Sequence, residues 1–180
     1  MTGSESNNIT MGELFRRRAH LLQEIRTYFS SEGVTEVNTP ILSGFGSCEP
    51  TLKNLSLNRG SRTYLRTSPE SCLKQLLSRN LGDVYEIGPV FRDEENDLSH
   101  LEEFTMVEWY RTNIDLLALI ADVRCLLARC GYHATIDTVT YAQLFQDASG
   151  LDPHNCSNSE LISCAIEKGV YLKESDFDDR

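Results

Sequence analysis

Residues 91–111, "FRDEENDLSHLEEFTMVEWYR", hold side chains whose types and spacing could do chemistry. Arg92 and Glu94 are two apart at the end of one apolar run. A polar loop with His100 follows. Strict alternation then puts Phe104, Met106, Glu108 and Tyr110 on one strand face and Thr105, Val107, Trp109 and Arg111 on the other. Paired as a long-looped hairpin, the two strands would gather Arg92, Glu94, Phe104, Glu108 and Tyr110 on a single sheet surface. Unpaired charge is costly to bury. Such a gathering therefore makes sense where a ligand brings the partners: phosphate for the Arg, an amine for a Glu, a flat base for the Phe. An exposed hairpin in which Arg92 pairs with Glu94 or Glu108 fits the same pattern, and Phe104 and Trp109 also suit a core.

The elements that must position this unit are legible around it. Thr10 and Glu13 have capping-box spacing. Leu14, Phe15, Leu21, Leu22, Ile25, Tyr28 and Phe29 then predict a helix with one buried face, stopped by Gly33. "VTEVNTPIL" (34–42) reads as extended, with Pro40 barred from a central ladder, and "SGFGSCEPTLKN" reads as loop. "RTYLRT" (62–67) is a strand by its content of β-branched and aromatic residues. Ser68, Pro69 and Glu70 supply an N-cap, a first-turn proline and a first-turn acid for a helix ending at Asn80 and Gly82. "DVYEIGPVFR" (83–92) is a strand that Gly88–Pro89 should interrupt with a bulge or confine to an edge. A strong helix over 115–130 closes at Gly131. Two shorter helices start at Thr140 and Ser157, each with a Gln or Glu three residues on.

Bulk properties exclude several classes. The 180 residues fit one domain or most of one, and 40% apolar with 24% charged residues is ordinary globular composition. A net charge of −10 opposes non-specific binding to nucleic acid or an anionic membrane. Arg16, Arg17 and Arg18 read as a solvated helix face. No stretch is apolar enough to span a bilayer, and the polar start is not a signal peptide. The six cysteines lack zinc-site spacing and read as reduced thiols in a cytoplasmic protein. Residues 1–9 are expected to be a disordered lead, and the charged "KESDFDDR" tail to be loose.

With three segments in order, a resemblance becomes specific. "FRDEENDLSHLEEFTMVEWYR" resembles motif 2 of the class II aminoacyl-tRNA synthetases in its lysine-type form. "GVTEVNTPIL" is similar to their motif 1, and "RTSPESCLKQLL" to the strand-to-helix segment that helps line the amino-acid pocket. The likeness runs from about Gly12 to the last residue. Within that branch it is greatest to the stand-alone ligases that modify elongation factor P, because only about ten polar residues precede the motif 1 helix and no anticodon-binding domain is seen. The implied fold is α+β, a class II synthetase-like catalytic domain with a mainly antiparallel sheet flanked by helices, occupying residues 10–180. Nothing in the chain resembles motif 3, so the domain is expected to be incomplete and the isolated chain inactive in adenylation.

The resemblance implies a function and site residues. ATP, with Mg2+ whose ligands are expected outside this stretch, would activate (R)-β-lysine or lysine for transfer to a lysine of elongation factor P. A homodimer is implied, with Pro40 at its interface, and tRNA is a poor candidate partner. Arg92 would hold the α-phosphate as the catalytic residue, next to Asp93, with Glu94 at the adenine edge or ordering the phosphates. His100 would reach the outer phosphates, Leu101 would border the nucleotide, and Phe104 would stack on adenine. Ser68, Pro69 and Glu70 would line the substrate pocket, Glu70 meeting the backbone-type amine. Glu108 and Tyr110 would face the side-chain ammonium. The family pattern His-Asn-Pro-Glu-Phe is here His100-Leu101-Glu102-Glu103-Phe104; Leu101 removes a polar contact to the nucleotide. Cys72 replaces a larger residue. Two other readings stay open: a truncated lysyl-tRNA synthetase core, and a non-catalytic paralogue acting as a binding or dimerising module.

Overall fold

The structure, a computed structural model, describes residues 9–58, 60–93 and 100–171. The chain forms two compact units, residues 1–133 and 134–180. The reading of the first residues as a disordered lead, and of the charged tail as loose, falls largely outside the described residues.

The first unit contains α1 (Met11–Ser31), β1 (Thr35–Glu36), β2 (Leu42–Ser43), β3 (Ser56–Asn58), β4 (Arg62–Leu65), α2 (Glu70–Ser78), β5 (Val84–Phe91), β6 (Glu103–Tyr110) and α3 (Leu116–Arg129). The strands make two sheets of three, ordered β1-β5-β6 and β2-β4-β3. β1 runs parallel to β5, whereas the β5–β6, β2–β4 and β3–β4 pairs are antiparallel. This is the mixed α/β architecture with antiparallel sheets that the motifs led us to expect.

The core lies on one face of the β5–β6 hairpin. Phe29 of α1 stacks on Tyr85 at 4.3 Å between ring centroids and meets Trp109 at 5.5 Å. Ile25, Tyr28, Val34, Ile87 and Leu126 complete the buried cluster. Alternation along the strands therefore assigns Tyr85, Ile87, Val107 and Trp109 to the helices, leaving Glu86, Gly88, Phe104, Glu108 and Tyr110 for the opposite face. Polar ties fix the exit of β6: Arg111 reaches Asp83 at 2.8 Å and Asp122 of α3 at 2.9 Å, and the Tyr28 hydroxyl donates to Asp122 at 3.0 Å.

Three expectations are corrected. Gly88–Pro89 makes no bulge, and the β5–β6 register runs unbroken from Val84↔Tyr110 to Phe91↔Glu103. β5 is the middle strand, but β1 pairs with it only at Val84 and Tyr85, so among the described residues Pro89 has a strand neighbour on the β6 side alone. A residue's N–H and C=O point to the same side of a strand. The Pro89 carbonyl accepts from Arg66 Nε at 2.9 Å, so the N–H that proline lacks would lie on that side and not in the β5–β6 ladder. Only the C-terminal half of the α1 stripe is buried: Leu14, Phe15 and Leu21 are exposed. Finally, α2 begins one residue late. Pro69 takes the cap position, and Ser68 Oγ accepts from the Glu70 N–H at 3.4 Å. The segment around Pro40 agrees with its reading: it carries the short strands β1 and β2, and Pro40 lies outside both.

At the start of α1, Thr10 caps the Glu13 N–H, but the Glu13 carboxylate turns to Arg17 instead of reaching back. In the second unit, α4 (Tyr141–Ser149) is capped by Thr140. α5 (Asn158–Glu167) carries both halves of a capping box between Ser157 and Glu160. All six cysteines are free thiols. Among the described residues, no helix is long and apolar enough to cross a membrane.

Candidate active site

The polar face of the β5–β6 hairpin brings together most of the residues singled out in the sequence. At the loop end, the Arg92 N–H donates to the Glu102 carbonyl at 2.9 Å, extending the ladder one step beyond Phe91. The Arg92 guanidinium carbon lies 5.2 Å from the centroid of the Phe104 ring, a cation–π contact. Asp93 is anchored by its own N–H to the Lys53 carbonyl at 3.0 Å. A cation beside an aromatic face, at the mouth of a hairpin, suits a phosphate next to a purine. His100 and Leu101 are exposed. Glu94 lies outside the described residues.

Four residues further along the same face of β6, about 13 Å at the rise of a strand, is Glu108. It is partly buried, and the Tyr110 hydroxyl donates to its Oε1 at 2.9 Å. Burial raises its carboxyl above the ordinary range; the Tyr110 hydrogen bond opposes this, while Glu70 and Glu86 add to it and Lys74 subtracts. Tyr110 is itself pushed up, first by burial and then by Glu108, so its phenol stays a donor at neutral pH. Among the described residues, no ion pair to a cation satisfies Glu108. An ammonium arriving from solution would.

The start of α2 forms the adjoining wall. Pro69 is buried, Ser68 is intermediate and Glu70 is exposed, pairing with Lys74 one turn on at 2.5 Å. A cavity of about 450 Å³ runs along this wall between Ser68, Glu70 and Lys74 on one side and Phe45 and Cys48 on the other. Its size suits a small-molecule site. Pro40 is exposed between β1 and β2. Among the described residues, no group of three His, Cys, Asp or Glu could hold a metal ion.

Sequence reasoning missed a buried ion pair on this same face. Arg66 and Glu86 pair at 2.5 Å with side chains 6% and 2% exposed. Glu86 Oε2 accepts from the Thr39 hydroxyl at 2.7 Å and the Thr39 N–H at 3.2 Å. Gly88 makes room for the pair: a Cβ there would fall 2.5 Å from Arg66 Nη2. The available signal was an acid inside the apolar run "VYEIGPV" with a glycine two residues on.

The hairpin thus offers a cation and an aromatic ring at its mouth and a carboxylate along its floor, groups that suit a phosphate, a flat base and an amine. Residues 5–147 match the model of the family described as tRNA synthetases class II (D, K and N), and the chain belongs to that family. It is similar to the elongation factor P–(R)-beta-lysine ligase of Pasteurella multocida (strain Pm70), 36% identical over 170 residues, 91% of this chain and 52% of that protein. The same-named ligase of Haemophilus influenzae (strain PittGG) is 37% identical over 167 residues, 89% of this chain and 52% of the relative. That of Mannheimia succiniciproducens is 36% identical over 166 residues, 88% and 51%. The chain thus spans about half the length of the curated relatives it matches.

Proposed function

We propose that this protein activates (R)-β-lysine or lysine with ATP and transfers it to a lysine side chain of elongation factor P. The observation that carries this reading is Glu108: a partly buried carboxylate held by one phenol, on the same sheet face as the Arg92–Phe104 pair. Similarity to ligases of that name supports the choice of acceptor.

In the first step, a substrate carboxylate oxygen attacks the α-phosphorus of ATP. A new O–P bond forms, the bridging bond to the β-phosphate breaks, and pyrophosphate leaves with its electron pair. Arg92 holds the α-phosphate and offsets the charge that builds on it, with Asp93 beside it and Glu94 at the adenine edge or the phosphates. Phe104 stacks on the adenine ring, Leu101 borders it and His100 meets the outer phosphates. Glu108 and Tyr110 bind the side-chain ammonium, since a desolvated cation must be paired. Glu70, with Ser68 and Pro69 shaping the wall, binds the other amine. In the second step, the neutral amine of the acceptor lysine attacks the acyl carbon, AMP departs, and the amine's proton is lost to solvent. Positioning and electrostatics dominate such chemistry. Mg2+ would enter with the phosphates of ATP.

The cytoplasm is the compartment this reaction requires. A homodimer joined through α1 and Pro40 would cover the exposed Leu14, Phe15 and Leu21. A net charge of −10 disfavours tRNA as acceptor. The test is mass spectrometry of elongation factor P from the source organism with this gene deleted. Loss of the lysyl-type mass from its modified lysine is expected; unchanged modification would refute the reading.

A further inference from the structure

Of the three carboxylates around the amine site, two have a cation as partner. Glu70 has Lys74 at 2.5 Å. Glu86 has Arg66 at 2.5 Å. Glu108, directly opposite Glu86 in the β5–β6 register, has the Tyr110 hydroxyl. Directly opposed residues on one face place their Cβ atoms about 5 Å apart. Glu86 and Glu108 are therefore neighbours, and like charges so placed repel. The sheet carries this pairing because the Arg66 guanidinium lies beside Glu86 on the same face, in the space that Gly88 leaves.

We propose that the buried Arg66–Glu86 pair is a specificity device: Arg66 offsets the charge of Glu86, the carboxylate that faces Glu108, so that Glu108 is the one of the two left to pair with the substrate's ammonium. The pair touches no substrate, and its residues are positioning residues. Arg66 is fixed by three further acceptors, the Pro89 carbonyl at 2.9 Å, the Thr39 hydroxyl at 2.9 Å and the Thr39 carbonyl at 3.3 Å. Its guanidinium is thereby kept on Glu86 and off Glu108. Removing the Glu86 charge leaves the buried Arg66 cation uncompensated on the sheet face that carries Glu108, where it opposes the incoming ammonium. This inference rests on the proposed function, because it needs a substrate that carries an ammonium at Glu108.

The test compares KM for lysine and for ATP in pyrophosphate exchange, using the protein at the length its gene encodes. Glu86→Gln should raise the KM for lysine by about tenfold or more, the scale set by a charge-assisted hydrogen bond, and leave the KM for ATP within about threefold. Adding Arg66→Met, which removes the stranded cation, should bring the KM for lysine back to within about threefold of the unaltered protein. An unchanged lysine KM in Glu86→Gln, or lysine and ATP values rising together, would overturn the proposal. So would a double variant that folds yet stays as weak for lysine as the single one. If the double variant does not fold, the single variant's split between lysine and ATP decides. Failure of the unaltered protein to use any lysine isomer would instead refute the proposed function, and the inference with it.

Discussion

Two ion pairs of equal length lie within one turn of chain from the candidate site, in opposite surroundings. Arg66–Glu86 is sealed, with side chains 6% and 2% exposed, and Thr39 and the Pro89 carbonyl add further hydrogen bonds to it. Lys74–Glu70 spans one turn of α2 with 59% and 53% exposure. Water screens the second pair and can replace either partner at little cost. The first has no such substitute, and losing one partner strands a charge. The sealed pair therefore fixes geometry and charge, whereas the exposed pair can open when a ligand amine approaches Glu70.

Five variants probe the contrast between the sealed and the exposed pair, in descending order of consequence. Arg66→Ala should be the most damaging, costing about 3–5 kcal/mol, the typical loss when one partner of a buried pair is removed. Denaturant titration checks this, and a cost near zero would mean the pair is not sealed. Gly88→Ala should cost about 1–3 kcal/mol by overpacking, because the added methyl meets the Arg66 guanidinium; the same titration reads it. Phe104→Ala should weaken ATP binding by about 1–3 kcal/mol, the value of one base–aromatic stack, with lysine affinity less affected in calorimetry.

Glu108→Gln separates binding from stability. The folded-state pKa of Glu108 is raised, so the group favours folding below its unfolded-state pKa and loses that contribution as pH rises through the folded value. At neutral pH the charged form is thus a small burden. Glu108→Gln should melt at or slightly above the parent while losing affinity for the amine. In the unaltered protein, affinity for lysine should fall as pH drops through the raised pKa of Glu108, whereas affinity for a ligand without an ammonium should not. Last, Lys74→Ala should leave the denaturation midpoint within experimental scatter.

Much of the site was legible because it follows from a period of two. Placing Arg92, Phe104, Glu108 and Tyr110 on one face required only the alternation in "EFTMVEWYR" and a hairpin, and the observed register matches it. The Ser-Pro-Glu start of α2 was off by one residue because proline's fixed φ suits the cap as well as the first turn. Gly88–Pro89 misled for a physical reason. Glycine and proline usually mark a broken strand, but here the first leaves space for a guanidinium and the second turns its missing N–H toward that same side chain. No local pattern reveals a partner 20 residues away. The apolar stripe of α1 marked a face to be covered without saying by what, and its first half is exposed.

The proposed ligase reaction on elongation factor P depends most on Glu108 as the receiver of the substrate's ammonium. The most direct test places Glu108→Gln at the chromosomal gene and measures, by mass spectrometry, the modified lysine of elongation factor P alongside the level of the variant protein. The account predicts normal protein level and an elongation factor P that has lost its lysyl-type addition. Full modification in that strain would contradict it.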